Sequence, residues 1–254
     1  KILEAMRVLN SEGPLEIVPT LFGTHEIPIE YQDSKDDYFR LVVDDLIPVV
    51  SQRGLARFCD SGTAFDPQKT DELLTKAKFH GLQVKVHADE FAVSGGAEMA
   101  ARNSAVSADH CICSSDKGIE AMAKAGVIVV LLPVVPFVHR LSNFAPGRKF
   151  IKAGIPVALG TDFNPSCLNE SMQMVMAFAC YTSGLSPAES LTAATINAAY
   201  AVGLGDRLGS IEVGKQADMV IWEVDNHKKL PERLGAALTH TVIKKGKIVF
   251  RKEV

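Results

Sequence analysis

Short runs of β-branched and aliphatic residues alternate with helical patterns along most of this sequence, and the alternation repeats about six times. Each run is long enough for one buried strand, and each helical pattern closes on Gly or Asn. This rhythm predicts an α/β fold around a parallel sheet, because parallel strands require a crossover that is usually helical. The predicted strands are residues 16–22, 55–60, 84–89, 105–111, 127–132 and 156–162.

Start and stop signals delimit the helices between these strands. An N-cap residue opens each helix and a glycine closes it, as helix termini prefer. The pairs are Asp66 with Gly81, Ser115 with Gly126, Asn169 with Gly184, and the capping box Ser186-Pro187-Ala188-Glu189 with Gly203. Apolar residues at positions 2, 3, 6 and 9 predict a further helix at the beginning of the sequence.

The pattern changes after Gly205. Residues 209–222 and 241–250 are typical of hairpin strands with Lys-Gly turns. We therefore predict two regions: a region of repeated βα units at 1–204 and part of a small β domain at 205–254.

Composition narrows the class of protein. The 254 residues are 47% hydrophobic, which is enough for one large core, and a formal net charge of -3 without a basic patch argues against nucleic acid as a partner. The longest apolar run, residues 125–138, is shorter than the roughly 18 residues of a membrane span, so we predict no membrane partner. Five cysteines in a chain of this length fit reduced thiols and a cytoplasmic location. A small-molecule substrate is the expected ligand.

Polar side chains stand where the predicted strands end, for example in Val84-Lys85-Val86-His87-Ala88-Asp89-Glu90-Phe91. Strands buried on both faces should be almost wholly apolar, so these polar ends require an explanation. In a barrel of alternating strands and helices, the carboxyl ends of the strands form the rim that carries the active site. Four strand ends share this feature: 22–26, 87–90, 107–110 and 160–164.

Some of these residues also have a purely structural interpretation. A single histidine such as His25 or His110 is more often a hydrogen-bonded structural residue than a ligand. Asp162-Phe163-Asn164-Pro165 is also typical of an Asx turn. Cys111 and Cys113 resemble half of a metal site but lack a second cysteine pair, so we interpret them as buried thiols.

Taken together, the polar strand ends indicate metal-dependent hydrolysis. His87 and Asp162 are donors suited to Zn or Fe, and such an ion lowers the pKa of a bound water to about 7. Glu90 and His110 are the candidates to move protons, and Asn164 could orient a carbonyl or a ring nitrogen. Two protein ligands are too few for a catalytic zinc site, and the sequence contains no His-x-His pair to complete the set.

Several of these motifs occur in the same order in a known family. They are Thr20-Leu21-Phe22-Gly23-Thr24-His25-Glu26-Ile27-Pro28, Val86-His87-Ala88-Asp89-Glu90, Gly95-Gly96-Ala97-Glu98, Ser107-Ala108-Asp109-His110, Gly160-Thr161-Asp162-Phe163-Asn164-Pro165 and Gly214-Lys215-Gln216-Ala217-Asp218. Over essentially its whole length the sequence resembles the imidazolonepropionases of the amidohydrolase superfamily. The resemblance implies a (β/α)8 barrel of the TIM type with a flanking β-sandwich. It also implies a homodimer that hydrolyses the ring amide of 4-imidazolone-5-propanoate to N-formimino-L-glutamate in histidine degradation.

The resemblance also implies roles for individual residues. His87 on the fifth strand and Asp162 on the eighth would bind one Zn or Fe ion per subunit. His25, Glu90, His110 and Asn164 would contact the substrate. Glu90, His110 and Asp162 would share the catalytic proton transfers, and the division among them stays open.

The sequence departs from the family at its beginning. The family's first strand carries a His-x-His pair that completes the metal site, and an Arg and a Tyr follow that hold the propionate; this sequence begins downstream of all four. We therefore expect the chain to be one piece of a longer protein, since a barrel lacking strands leaves unpaired edges. An intact mass equal to the 27.4 kDa of this chain would refute that expectation.

Two alternatives remain open. The first is another amidohydrolase, a deaminase or a cyclic amidase, because the superfamily shares the Asp162 strand. The second is a metal-free, non-catalytic remnant, if this chain is the entire protein.

Overall fold

The computed structural model describes residues 1–253, and the fold is α/β. The strands are β1 Thr20–Leu21, β2 Phe58–Ser61, β3 Gln83–Ala88, β4 Ser107–His110, β5 Ile128–Leu131, β6 Val157–Leu159, β7 Met219–Trp222, β8 Thr239–Lys244 and β9 Lys247–Arg251. The α-helices are α1 Ile2–Glu12, α2 Lys35–Arg40, α3 Ile47–Gln52, α4 Pro67–Phe79, α5 Gly96–Arg102, α6 Asp116–Ala125, α7 Val134–Val138, α8 Gly147–Lys152, α9 Met172–Ser183, α10 Pro187–Thr192, α11 Ala198–Ala201 and α12 Lys229–Glu232. A 3-10 turn covers Ile29–Tyr31, and π-helical turns at Leu41–Leu46 and Ala193–Asn197 join α2 to α3 and α10 to α11.

The first sheet has six strands in the order of the chain, β1-β2-β3-β4-β5-β6. Neighbouring strands pair in parallel, as β1 does with β2, β2 with β3, and β5 with β6. Each strand overlaps one of the predicted runs, with β2 and β3 extending one residue beyond theirs, so the sequence-based count of about six βα units is confirmed. The architecture is that of a partial (β/α)8 barrel accompanied by a small antiparallel sheet.

The residues divide into two compact units. The first unit comprises Lys1–Ala88, Ser94–Ala108 and Ser115–Val127, and the second comprises Asp89–Val93, Asp109–Ser114 and Ile128–Val254. In the first unit, the buried side chains include Phe58 of β2, Val84 and Val86 of β3, and Leu73 and Leu74 of α4. In the second unit, Val129, Leu131 and Phe150 are among the most deeply buried side chains. The predicted boundary at residue 204 remains a prediction.

Most helix termini follow the predicted capping chemistry. Asp66 accepts hydrogen bonds from the backbone N–H groups of Gln68 and Lys69, and Ser115 accepts one from Gly118. The capping box at Ser186 is fully formed. The prediction that Asn169 opens α9 is wrong by two residues, because Ser171 is the N-cap and accepts from the N–H of Met174.

The small sheet has the order β7-β8-β9 and is antiparallel. The Lys245-Gly246 turn between β8 and β9 confirms one predicted hairpin, and both of its residues have positive φ, as a type I′ turn requires. The predicted strand at 209–222 is confirmed only for 219–222. Lys215 explains the difference: its ammonium donates to the carbonyl of Gly205 and the hydroxyl of Ser210, so the preceding segment forms a loop around it.

Membrane-spanning helices are a separate question. Across residues 1–253 we find no helix that is both long enough and apolar enough to cross a bilayer.

Candidate active site

Three strand ends that carry candidate site residues have left-handed backbone conformations. Asp89 follows β3 with φ 49°, His110 ends β4 with φ 70°, and Asp162 follows β6 with φ 49°. Residues other than glycine rarely adopt positive φ, and each such residue costs about 1–3 kcal/mol. The left-handed residues thus mark the point where each strand ends and its polar loop begins.

In the first unit, His87 lies beside a carboxylate. Its Nδ1 is 3.1 Å from Oδ1 of Asp60, which belongs to the neighbouring strand β2, and the two side chains are only 14% and 6% exposed. An ionised carboxylate can only accept a hydrogen bond, so this contact places the imidazole proton on Nδ1. A carboxylate that holds Nδ1 is the usual companion of a histidine that binds a metal through its other ring nitrogen. The donor chemistry of His87 therefore fits a Zn or Fe ion.

His25 lies close to His87 in the same unit. The ring centroids of the two imidazoles are 5.7 Å apart, and the phenyl ring of Phe22 contacts both, at 4.6 Å from His25 and 4.5 Å from His87. His25 is exposed and Phe22 is half-buried. A predicted substrate contact and a predicted metal ligand thus share one cluster of rings.

In the second unit, the structure brings together the two predicted proton-transfer residues. His110 is 3% exposed, and its Nδ1 is 3.6 Å from Oε1 of Glu90, whose side chain is 11% exposed. The loop of Glu90 is fixed by its neighbour Asp89, whose carbonyl accepts from the N–H of Cys113 at 2.8 Å. The carboxylate of Asp89 accepts from the hydroxyl of Ser114 at 2.9 Å. A buried imidazole beside a carboxylate can exchange a proton with a bound molecule.

Asn164 shapes the loop that follows β6. Its Nδ2 donates to the carbonyl of Asp162 at 2.9 Å, and its Oδ1 accepts from the N–H groups of Ser166 and Cys167. The alternative interpretation of this motif as an Asx turn is therefore confirmed. Asp162 and Asn164 lie in one loop, as predicted, and their metal and substrate contacts remain predictions.

Three cysteines, Cys59, Cys111 and Cys167, are buried, whereas Cys113, which the sequence predicted to be a buried thiol, is half-buried. None of the five cysteines, all of which lie within residues 1–253, forms a disulfide; burial raises the pKa of Cys59 to about 12, with the nearby charge of Asp60 adding to the rise. Burial likewise raises the pKa of Cys111 far above its ordinary value. A thiol with a raised pKa is a poor nucleophile and a poor metal donor.

Comparison with known proteins identifies the family. Residues 34–250 match the family described as "Amidohydrolase family". The chain belongs to the amidohydrolase family. An imidazolonepropionase from Geobacillus kaustophilus (strain HTA426) is 46% identical over 254 residues, covering 98% of this chain and 59% of the relative. An imidazolonepropionase from Treponema denticola is 42% identical, covering 99% of this chain and 62% of the relative. The chain thus spans about three fifths of the length of these relatives.

Solved structures support the same fold. An adenosine deaminase from Xanthomonas campestris with bound zinc matches with a TM-score of 0.76 at 22% identity, covering 97% of this chain and 63% of that chain. A triazine hydrolase variant matches with a TM-score of 0.78 at 18% identity, covering 98% of this chain and 64% of that chain. At such identities the likeness shows the amidohydrolase fold alone.

Sequence reasoning missed Asp60 and Phe22 as members of the site. Asp60 ends a predicted strand in a polar residue, as the four recognised strand ends do, so the signal was present in the sequence. Phe22 carries no such signal, because an aromatic residue at the end of a strand is most often part of the core.

Proposed function

We propose that this amidohydrolase is an imidazolonepropionase, which hydrolyses the ring amide of 4-imidazolone-5-propanoate to N-formimino-L-glutamate in histidine degradation. The observation that carries this proposal is the 46% identity to an imidazolonepropionase over 98% of this chain. The likeness to a deaminase at 22% identity supports only the fold, so the deaminase alternative is not favoured.

We propose that His87 and Asp162 bind one Zn or Fe ion per subunit. Asp60 supports this role for His87, because its carboxylate orients the imidazole through Nδ1. When bound, such an ion is a Lewis acid that makes water a stronger nucleophile at neutral pH.

Hydrolysis of the ring amide adds one water molecule across a C–N bond. The attacking water must lose a proton, and the departing ring nitrogen must gain one. Glu90 accepts the first proton and delivers the second. Its carboxylate lies beside His110, and both side chains are largely shielded from solvent. His110 donates a hydrogen bond to the carbonyl oxygen on which negative charge develops, and Asp162 is a further candidate for the proton transfer.

Two other residues contact the substrate in this proposal. His25 is exposed in the loop after β1 and close to His87, which suits a contact with a bound ring. Asn164 lies in the loop after β6 with Asp162. Its amide is occupied by the loop, so a contact with substrate would be made in addition to the turn.

A substrate panel tests the proposed activity. The protein expressed from its own gene, supplied with Zn²⁺ or Fe²⁺, is assayed with 4-imidazolone-5-propanoate, with other cyclic amides and with aminated purines and pyrimidines. We expect hydrolysis of the imidazolone, with formation of N-formimino-L-glutamate, at a kcat/KM at least ~100-fold above that of the other compounds. Preferential ammonia release from a purine or pyrimidine would show that the protein is a deaminase and not an imidazolonepropionase. The absence of any turnover would favour a non-catalytic remnant.

The assembly and location are further parts of this proposal. We propose a homodimer in the cytoplasm that binds a small-molecule substrate and neither nucleic acid nor membrane. Light scattering on the purified protein tests the dimer, and a mass of one chain at micromolar concentration would contradict it.

A further inference from the structure

The segment Phe22–His25, which we call the His25 loop, is held from two sides by groups of the first unit. We propose that Tyr38 and Gly62 are positioning residues, which act on the substrate only through His25 by fixing the backbone of this loop. This inference rests on the proposed role of His25 as a substrate contact. Neither residue belongs to the metal or proton-transfer groups.

Tyr38 holds the loop from α2. Its hydroxyl donates to the carbonyl of Gly23 across 2.5 Å, which links two segments 15 residues apart. Burial raises the pKa of Tyr38, with the neighbouring Tyr31 adding to the rise, so the hydroxyl keeps its proton and remains a donor at neutral pH. This hydrogen bond fixes the peptide two residues before His25.

Gly62 holds the loop from the end of β2. A Cβ at this position would lie 2.3 Å from Cα of His25 and 2.5 Å from the carbonyl oxygen of Thr24. These neighbours are backbone atoms, so the two loops touch main chain to main chain and leave no space for a methyl group. The N–H of Gly62 also faces Oγ1 of Thr24 at 3.4 Å, and both residues are buried.

Phe22 supports the imidazole itself. The phenyl ring lies 4.6 Å from the ring of His25 at an interplanar angle of 27°, which is an offset stack. With the backbone fixed at Gly23 and Thr24 and the ring stacked on Phe22, His25 has little freedom before substrate arrives. Such preorganisation lowers the entropy that binding must remove.

The test is a double-mutant cycle between Tyr38→Phe and His25→Ala, because the first change removes one hydroxyl and keeps the ring. We expect Tyr38→Phe to lower kcat/KM by about three- to tenfold, mainly through KM, as the loss of one hydrogen bond predicts. In the His25→Ala background the same change should have no further effect. Tyr31→Phe is the matched control, since it removes a neighbouring phenol hydroxyl, and its kinetics should equal those of the unaltered protein.

A second pair of variants tests Gly62. Gly62→Ala should displace His25 and lower kcat/KM more strongly than Tyr38→Phe, whereas Gly13→Ala, where a Cβ would make only ordinary contacts, should leave it unchanged. If Tyr38→Phe lowers kcat/KM by the same factor with and without His25, the residue does not act through His25 and the inference is overturned.

A spectroscopic signature separates failure of this inference from failure of the proposed function. The imidazole C–H resonances of His25 lie in the ring current of Phe22, and NMR with labelled histidine observes them whether or not any substrate is hydrolysed. Tyr38→Phe should shift the His25 resonances, and Tyr31→Phe should not. If neither variant shifts them, the positioning role is refuted even in an active enzyme. If Tyr38→Phe shifts them in a protein that hydrolyses nothing, the loop inference holds and the proposed function fails.

Discussion

His87 and Asp60 form a hydrogen-bonded pair on the neighbouring strands β3 and β2. Exchange of Asp60 for Asn keeps the size of the side chain. It removes the negative charge that favours a proton on Nδ1 of His87. Because such supporting carboxylates typically affect metal affinity 10- to 100-fold, we expect Asp60→Asn to weaken Zn²⁺ binding by about tenfold. Competition with a chromophoric chelator measures the change. Asp66→Asn is the control, since Asn caps α4 as well as Asp does, and equal affinities for both variants would contradict the role of Asp60.

Glu90 and His110 are the second pair of neighbouring candidate site residues. Glu90→Gln retains the shape of the side chain but cannot accept a proton, so we expect kcat to fall by about 10²- to 10⁴-fold with metal content unchanged. Steady-state kinetics at saturating 4-imidazolone-5-propanoate gives kcat, and Glu120→Gln on the exposed face of α6 serves as the control. A kcat within about threefold of that of the unaltered protein would remove Glu90 from the proton transfer.

The positions of these residues could be predicted from the sequence, but their pairing could not. Polar residues at strand ends pointed to His87, Glu90, His110 and Asp162 because parallel strands present their carboxyl ends at one rim. The contact between His87 and Asp60 depends on the register of β2 against β3, where Asp60 lies opposite Lys85. Register is a tertiary property that no local pattern encodes. For Asn164 the local turn chemistry and the proposed site chemistry use the same side chain, so the sequence supported both.

At the scale of secondary structure, Arg148 joins α8 to the capping box of α10. Its guanidinium binds both carboxylate oxygens of Glu189, at 2.8 and 2.5 Å, and Oε2 of Glu189 also accepts from the N–H of Ser186. The hydrogen bond from Arg148, followed by those from Ser186, lowers the pKa of Glu189 from 4.5 to about 2 despite the opposing effect of burial.

We expect Glu189→Gln to lower the free energy of unfolding by about 1 kcal/mol at pH 7, because both partners are partly exposed and the charge pair is screened by solvent. A carboxyl group whose pKa is lower in the folded than in the unfolded protein stabilises the fold at every pH above its pKa in the unfolded protein. This contribution disappears as the pH falls through its pKa in the folded protein. The difference between the two proteins should therefore be constant above about pH 4.5 and shrink towards pH 2. Urea denaturation at pH 7, 4 and 3 measures it, with Glu170→Gln as the control. A difference that grows on acidification would contradict the assignment.

The elements themselves were largely predictable. All six parallel strands, the Asp66 and Ser115 caps and the capping box follow from local chemistry that tertiary packing did not override. The segment before β7 was not predictable, because it is organised by the ammonium of Lys215, which reaches carbonyl groups 7 and 10 residues earlier in the sequence.

At the scale of the whole chain, Gln173 connects α9 to the segment that joins β7 to β8 of the small sheet. Its amide is buried, donates to the carbonyls of Leu230 and Arg233 and accepts from the N–H of Leu238. We expect Gln173→Ala to lower the free energy of unfolding by about 2 kcal/mol, because buried backbone groups lose their partners. Urea denaturation measures the loss, and limited proteolysis should show faster cleavage within residues 223–238. Gln68→Ala on the exposed start of α4 is the control, and equal stability of both variants would contradict the link.

We proposed that this amidohydrolase uses a metal ion held by His87 to hydrolyse the imidazolone. The most direct test is elemental mass spectrometry and hydrolysis, measured on the same samples of the unaltered protein, His87→Ala and the control His80→Ala at the end of α4. We predict about one Zn or Fe per chain with turnover in the unaltered protein and in His80→Ala, and neither metal nor turnover in His87→Ala. Hydrolysis by metal-free protein, or an unchanged metal content in His87→Ala, would contradict the account.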